Sequence, residues 1–169
     1  YEGTGPEIWN EMDGHVDEFT CSVGSGGTIG GLSKFFKEKN SEIWIRLADP
    51  FGSGLFEYFY NQNLKTEGSS ITEGIGIMRI TANFQWAQVD EAIRVSDQRM
   101  IDMLFHVAQN DGLFVGTSAA LNLQSAYELG LRWKGQGKKI VTVLCDSGAR
   151  YQSRILDPQW LAEKGLISP

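Results

Sequence analysis

The sequence lacks the cysteine density of a disulfide scaffold. Its 169 residues hold two cysteines, Cys21 and Cys145, far apart and each inside an apolar stretch. They read as buried thiols in a reducing compartment, which fits a cytoplasmic location. No stretch approaches the roughly 18 apolar residues of a membrane-spanning helix, so a membrane protein is excluded. Basic residues are not in excess: the net charge is −6, with both signs mixed along the chain, which argues against a nucleic-acid partner. Two histidines, His15 and His106, stand at spacings unrelated to the cysteines and offer no zinc site. His15 follows a turn glycine and reads as exposed; His106 falls mid-helix and reads as a surface or a satisfied histidine. The scattered tryptophans read as packing. What remains is ordinary globular composition, 41% hydrophobic and 21% charged, in a chain long enough to bury roughly 70% of its extended surface.

The chain opens at Tyr1 without a methionine or a signal-peptide pattern. Thr4 to Trp9 starts a helix with Pro6 at its first position, ending near Asp13-Gly14. Asp17 to Val23 reads as a strand, and after a glycine loop a helix carries Ile29, Leu32 and Phe36 on one face. Glu42 to Ala48 is a second strand. Pro50 to Ile71 is irregular, with a short helix at Leu55 to Tyr60. Val89 to Val95 is a third strand, and Ser96 caps a helix that Asn110-Asp111-Gly112 stops. Gly112 to Val115 is strand-like, and a helix runs from Ser118 to Trp133. Lys139 to Cys145 is an apolar run and reads as a strand buried on both faces. Asp157-Pro158 opens a short terminal helix. This alternation predicts an α/β fold, a parallel sheet with helices on both faces, in three layers.

Gly24-Ser25-Gly26-Gly27-Thr28, between a strand and a helix, is the strongest chemical signal. Successive glycines let backbone N–H groups curl around an anion, and a helix N-terminus adds free donors and a positive dipole end. Ser25 and Thr28 add hydroxyls. The plain alternative is a tight turn that binds nothing. A Rossmann fingerprint would need glycine at position 29, which is Ile29, and no Gly-Lys-Ser/Thr is present for a Walker loop. A mononucleotide or a phosphorylated coenzyme fits better than a dinucleotide or ATP.

Gly116-Thr117-Ser118-Ala119-Ala120 nearly matches a nucleophile elbow. That site needs a histidine later in the chain, and both histidines precede Ser118. Ser118 is therefore either a helix N-cap or a ligand contact at the carboxyl edge of the sheet. Glu73-Gly74-Ile75-Gly76 is either a lid or a connector. Asp146 to Tyr151 follows the apolar strand at the same edge and either lines that pocket or turns the chain.

Taken in order, Gly24 to Thr28, Glu73 to Gly76, Gly116 to Ser118 and Ser147 to Tyr151 resemble the fold-type-II pyridoxal-phosphate enzymes. The pattern is most similar to the cysteine synthase and cystathionine β-synthase family, and Tyr1 to Trp9 resembles that family's stretch ahead of the phosphate loop. The resemblance implies pyridoxal 5'-phosphate as cofactor. It implies that Gly24, Ser25, Gly26, Gly27 and Thr28 hold its phosphate and that Ser118 bonds its ring nitrogen. It places Gly74, Ile75 and Gly76 in a loop beside a small amino-acid substrate. Ala119-Ala120, Ala149 and Ile77 depart from the family's usual residues, which bears on substrate and not on cofactor.

The resemblance also implies what is missing. The Schiff-base lysine belongs in the family's first half, and no lysine here stands in a matching motif, so the chain holds no catalytic residue of that kind. Residues 1–169 then read as the C-terminal part of the cofactor-binding large domain, with the N-terminal half and its small domain absent. The implied reaction is β-replacement, O-acetylserine plus sulfide giving cysteine and acetate. A cystathionine β-synthase, serine/threonine dehydratase or cysteine desulfhydrase is an alternative within the family. A non-catalytic phosphate- or nucleotide-binding module is the alternative outside it. A homodimeric parent, the missing N-terminal fragment and serine acetyltransferase are the implied partners.

Overall fold

The computed structural model describes residues 1–167. Its elements are α1 (Thr4–Glu11), β1 (Glu18–Cys21), α2 (Gly27–Lys39), β2 (Trp44–Pro50), α3 (Leu55–Asn61), β3 (Glu91–Val95), α4 (Asp97–Asn110), α5 (Thr117–Arg132), β4 (Ile140–Thr142), α6 (Gln152–Ile155) and α7 (Pro158–Glu163). The strands form one parallel sheet in the order β3-β2-β1-β4. This is the α/β arrangement that the alternating pattern predicts.

Side chains alternate across a strand, so each strand feeds two cores. Phe19, Cys21, Ile45 and Leu47 face one side, where they pack with Leu32 and Phe36 of α2 and Leu55 of α3. Ala48 and Val95 face the other, with Met100, Ile101 and Leu104 of α4 and Ala119 to Leu121 of α5. Helix α5 lies across all four strands. Its contact with the sheet centre is polar. Thr20 Oγ1 and Ser125 Oγ are 2.6 Å apart, Ser22 N donates to Asn122 Oδ1 at 2.7 Å, and Arg46 Nη1 donates to the Ser125 carbonyl at 3.3 Å. Buried polar atoms must be paired to be tolerated, so these bonds fix α5 over the sheet.

Ser96 caps α4 by accepting from Arg99 N, and Asp157 caps α7 by accepting from Gln159 N at 2.9 Å. Both ends match the sequence pattern. Helix α1 starts at Thr4, so Pro6 sits within the first turn and not at its first position. Its missing N–H costs nothing there, because first-turn amides have no acceptor inside the helix.

Four expectations fail. The Lys139 to Cys145 run shrinks to a three-residue strand at the sheet edge, half-buried and not covered on both faces. Cys145 is exposed, while Cys21 is buried. Gly112 to Val115 forms no strand; Val115 makes one antiparallel bridge to Ser147. Trp44 and Trp86 also lie at the surface and are not packing residues. Among the described residues, no helix is long and apolar enough to cross a membrane.

Candidate functional site

Strand β1 ends at Cys21, and the chain turns through Gly24, Ser25 and Gly26 into α2. Gly26 caps the helix at φ +83°, a left-handed conformation that costs glycine nothing. A side chain there would also press on Phe84, with backbone N and Cα at 2.7 and 2.9 Å. Thr81 Oγ1 donates to the Ser25 carbonyl at 2.7 Å and accepts from Phe84 N at 3.1 Å, so residues 81–84 brace the turn. Ser25, Gly27 and Thr28 are exposed. Gly27 N reaches Ser25 Oγ at 3.4 Å. The amides of Ser25, Gly26, Thr28 and Ile29 have no acceptor among the described residues. Free amides clustered at a helix N-terminus form an anion nest.

The 73–76 segment crosses the same edge. Gly76 N donates to the Val23 carbonyl at 3.0 Å. The Gly74 carbonyl lies so close to Gly24 that a β-carbon at position 24 would collide with it. Glu73 forms an ion pair with Arg154, and Ile75 packs against the α4–α5 core.

Helix α5 begins at Thr117 with Gly116 as its cap. Ser118 is therefore its second residue, and the N-cap reading is wrong. The side chain is nearly buried, and its hydroxyl has no protein hydrogen-bond partner among the described residues. It opens into a cavity of about 250 Å³ that it lines together with Glu73, Gly74, Ile75, Cys145, Asp146 and Tyr151. The structure thus unites Ser118 with the 73–76 segment and with part of 146–151. Gly24 sits behind Gly74. Ser25 to Thr28 do not line the cavity; Gly27 faces a separate depression with Gly30, Lys34 and Trp86.

Tyr151 donates to Asp146 Oδ2 at 2.6 Å. That bond to the carboxylate, reinforced by burial, pushes the Tyr151 hydroxyl up to about 12. Farther along the edge, burial lifts Asp49 to about 6, against its hydrogen bonds to Ser53 and to the first amides of α3. Burial also pushes the Cys21 thiol up. None of the lysines lines the cavity.

Two features escaped the sequence. Cys145 forms part of the cavity wall; its place just before Asp146 was the available signal. The brace at Thr81 to Phe84 had none, since its contacts arise only when a distant loop folds back onto Gly26.

Residues 1–146 match the family described as "Pyridoxal-phosphate dependent enzyme". The chain belongs to this family. It is 41% identical to cysteine synthase 1 of Neurospora crassa over 98% of its own length and 45% of that protein. It is 42% identical to a cysteine synthase of Dictyostelium discoideum, over 95% and 45% of the two chains. A crystal structure of the O-acetylserine dependent cystathionine beta-synthase from Helicobacter pylori superposes with a TM-score of 0.77 at 29% identity, covering 88% of this chain and 46% of that one. The chain thus spans less than half the length of these relatives.

The family's cofactor is pyridoxal phosphate. The residues present fit its non-covalent demands: free amides at the α2 N-terminus for a phosphate, and an unpartnered, nearly buried hydroxyl at Ser118 for a ring atom.

Proposed function

We propose that this chain is the cofactor-binding part of a pyridoxal-phosphate-dependent β-replacement enzyme that makes cysteine and acetate from O-acetylserine and sulfide. The observation that carries the proposal is the meeting of Ser118 and the 73–76 segment in one cavity, beside the glycine nest, in a chain of this family. Pyridoxal phosphate, when bound, supplies an electron sink for amino-acid substrates. The amides of Ser25 to Ile29 would hold its phosphate. Ser118 Oγ would give its ring nitrogen a neutral partner, which does not enforce ring protonation and so suits β-elimination. Gly74, Ile75 and Gly76 would close over the substrate and keep water out. The Schiff-base lysine would come from sequence outside these residues, because the lysines present lie away from the cavity.

The resemblance to an O-acetylserine dependent cystathionine beta-synthase favours a second reading with the same amino-acid donor and homocysteine as the nucleophile. A cytoplasmic, homodimeric enzyme with serine acetyltransferase as a partner belongs to the same proposal, and its support is the family alone. The test is product analysis of the intact protein loaded with pyridoxal phosphate. Cysteine from O-acetylserine and sulfide supports the first reading; cystathionine from O-acetylserine and homocysteine supports the second. A protein that takes up the cofactor and yields neither product overturns both.

A further inference from the structure

Asp146 touches the start of α5 at several points. Its carbonyl accepts from Gly116 N at 2.9 Å. Its Oδ2 accepts from Tyr151 OH at 2.6 Å. Its Oδ1 is buried without a hydrogen-bond partner among the described residues and lies against Gly116, where a β-carbon would collide with it. The Tyr151 ring backs the same spot, with Cε2 2.8 Å from that β-carbon position. On the other side of the turn, Gly148 N donates to the Phe114 carbonyl at 3.0 Å. Residues 114–116 and 146–151 are therefore locked together two residues ahead of Ser118.

We propose that Asp146 and Tyr151 are positioning residues: they clasp Gly116 and so fix where the Ser118 hydroxyl stands in the cavity. The inference rests on Ser118 being a cofactor contact, as proposed above. A ring-nitrogen hydrogen bond tolerates only a few tenths of an ångström of error. The first turn of α5 has no side-chain cap of its own, so its position must be set from outside. The clasp works by geometry and not by charge, because Oδ1 faces Gly116 and Oδ2 is taken by Tyr151. An asparagine, which still accepts from Tyr151, should therefore replace Asp146.

The experiment compares Tyr151→Phe, Asp146→Asn and Asp146→Ala in the intact protein with two readouts. The first is amide hydrogen exchange at Gly116, Gly148 and Ala120 without cofactor. Tyr151→Phe and Asp146→Ala should speed it roughly tenfold, as expected for loss of one buried hydrogen bond, while the later turns of α5 stay unchanged. The second is pyridoxal-phosphate affinity and the absorption spectrum of the bound cofactor. Both variants should weaken binding several-fold and shift the band, and Asp146→Asn should stay near wild type. If Asp146→Ala does not fold, the other two variants carry the comparison. Unchanged exchange in Tyr151→Phe overturns the clasp, whatever the cofactor does. Faster exchange with unaltered affinity and spectrum shows that the clasp does not reach Ser118 and overturns the proposal. Asp146→Asn as damaging as Asp146→Ala would make the effect one of charge and overturn it too. A wild-type protein that takes up no pyridoxal phosphate overturns the functional reading instead, and the exchange data still judge the clasp.

Discussion

At position 118 one hydroxyl separates two roles. Ser118 has no protein partner among the described residues, so Ser118→Ala should change folding stability by less than about 1 kcal/mol. Cofactor affinity should fall by the worth of one hydrogen bond, about 0.5–1.5 kcal/mol. Ser118→Asp places a carboxylate where a helix N-terminus tolerates it, so the fold should survive. The ring nitrogen would then face a charged partner, and β-elimination should suffer more than in the alanine variant. Melting temperature, cofactor titration and acetate release check the three parts; equal behaviour of all variants would leave Ser118 without a role. Gly26 is a poorer probe than the sequence suggests. Its left-handed φ and the Phe84 contact mean that any side chain there strains the α2 start, with or without a ligand. The glycine pattern made the nest legible. It could not reveal Phe84, because the contact depends on tertiary closure.

Two elements carry buried charge that apolar patterning hid. Arg46 on β2 is almost fully buried, inside a run that reads as a plain strand. It donates to Glu91 Oε2 on β3 from Nε and Nη2 at 3.0 and 2.9 Å. Arg132 of α5 donates to both Glu91 oxygens. Burial disfavours the Glu91 charge, but the Arg132 and Arg46 hydrogen bonds outweigh it and hold the carboxyl at about 2. A lowered native value means stability that is present above the ordinary carboxylate range and lost as pH falls from about 4.5 toward 2. Glu91→Ala leaves Arg46 buried and unpaired, so it should cost about 3–5 kcal/mol and flatten that acid limb in urea unfolding. Asp49, at the end of β2, has the opposite sign. Its carboxylate accepts from Phe56 N at 2.8 Å, yet burial lifts it to about 6. Below about pH 4 both states hold the proton; between about 4 and 6 only the folded state does. Stability should therefore fall across that window by up to about 3 kcal/mol. Asp49→Asn, which keeps the acceptor, should remove the fall. Strand β4 shows the limit of reading elements from hydropathy: an apolar run looks the same in the middle of a sheet and at its edge, and only the strand order decides.

Across the whole molecule, the cavity lies on the α4–α5 side: its liners Ile75 and Tyr151 both belong to that core. The 73–76 segment is tied to the chain just after β1 through Val23 and to α6 through the Glu73–Arg154 pair, while Ser118 comes from the α5 side. A ligand seated there would tie the 73–76 segment to the start of α5 and stabilise the chain by mass action. What the cavity lacks is an amine. Lys37 is held by Asp90, Lys138 by Asp17, and Lys34 stacks against Trp86 in the separate depression. Covalent work on an amino acid in this family needs a lysine both to anchor the cofactor and to move a proton. The 169-residue chain by itself should therefore release no acetate from O-acetylserine and yield no borohydride-trapped adduct on any single lysine. Leu144, Tyr127 and Leu131 are each about half exposed, which gives the chain apolar surface through which to associate. Mixing it with a polypeptide that supplies the first half of a family enzyme should bury such surface and restore both cofactor adduct and acetate release. Light scattering, peptide mapping after borohydride reduction and an acetate assay measure the three outcomes. Turnover by the isolated chain, with one of its own lysines trapped, would show that the amine is already present and that the cavity rearranges to reach it.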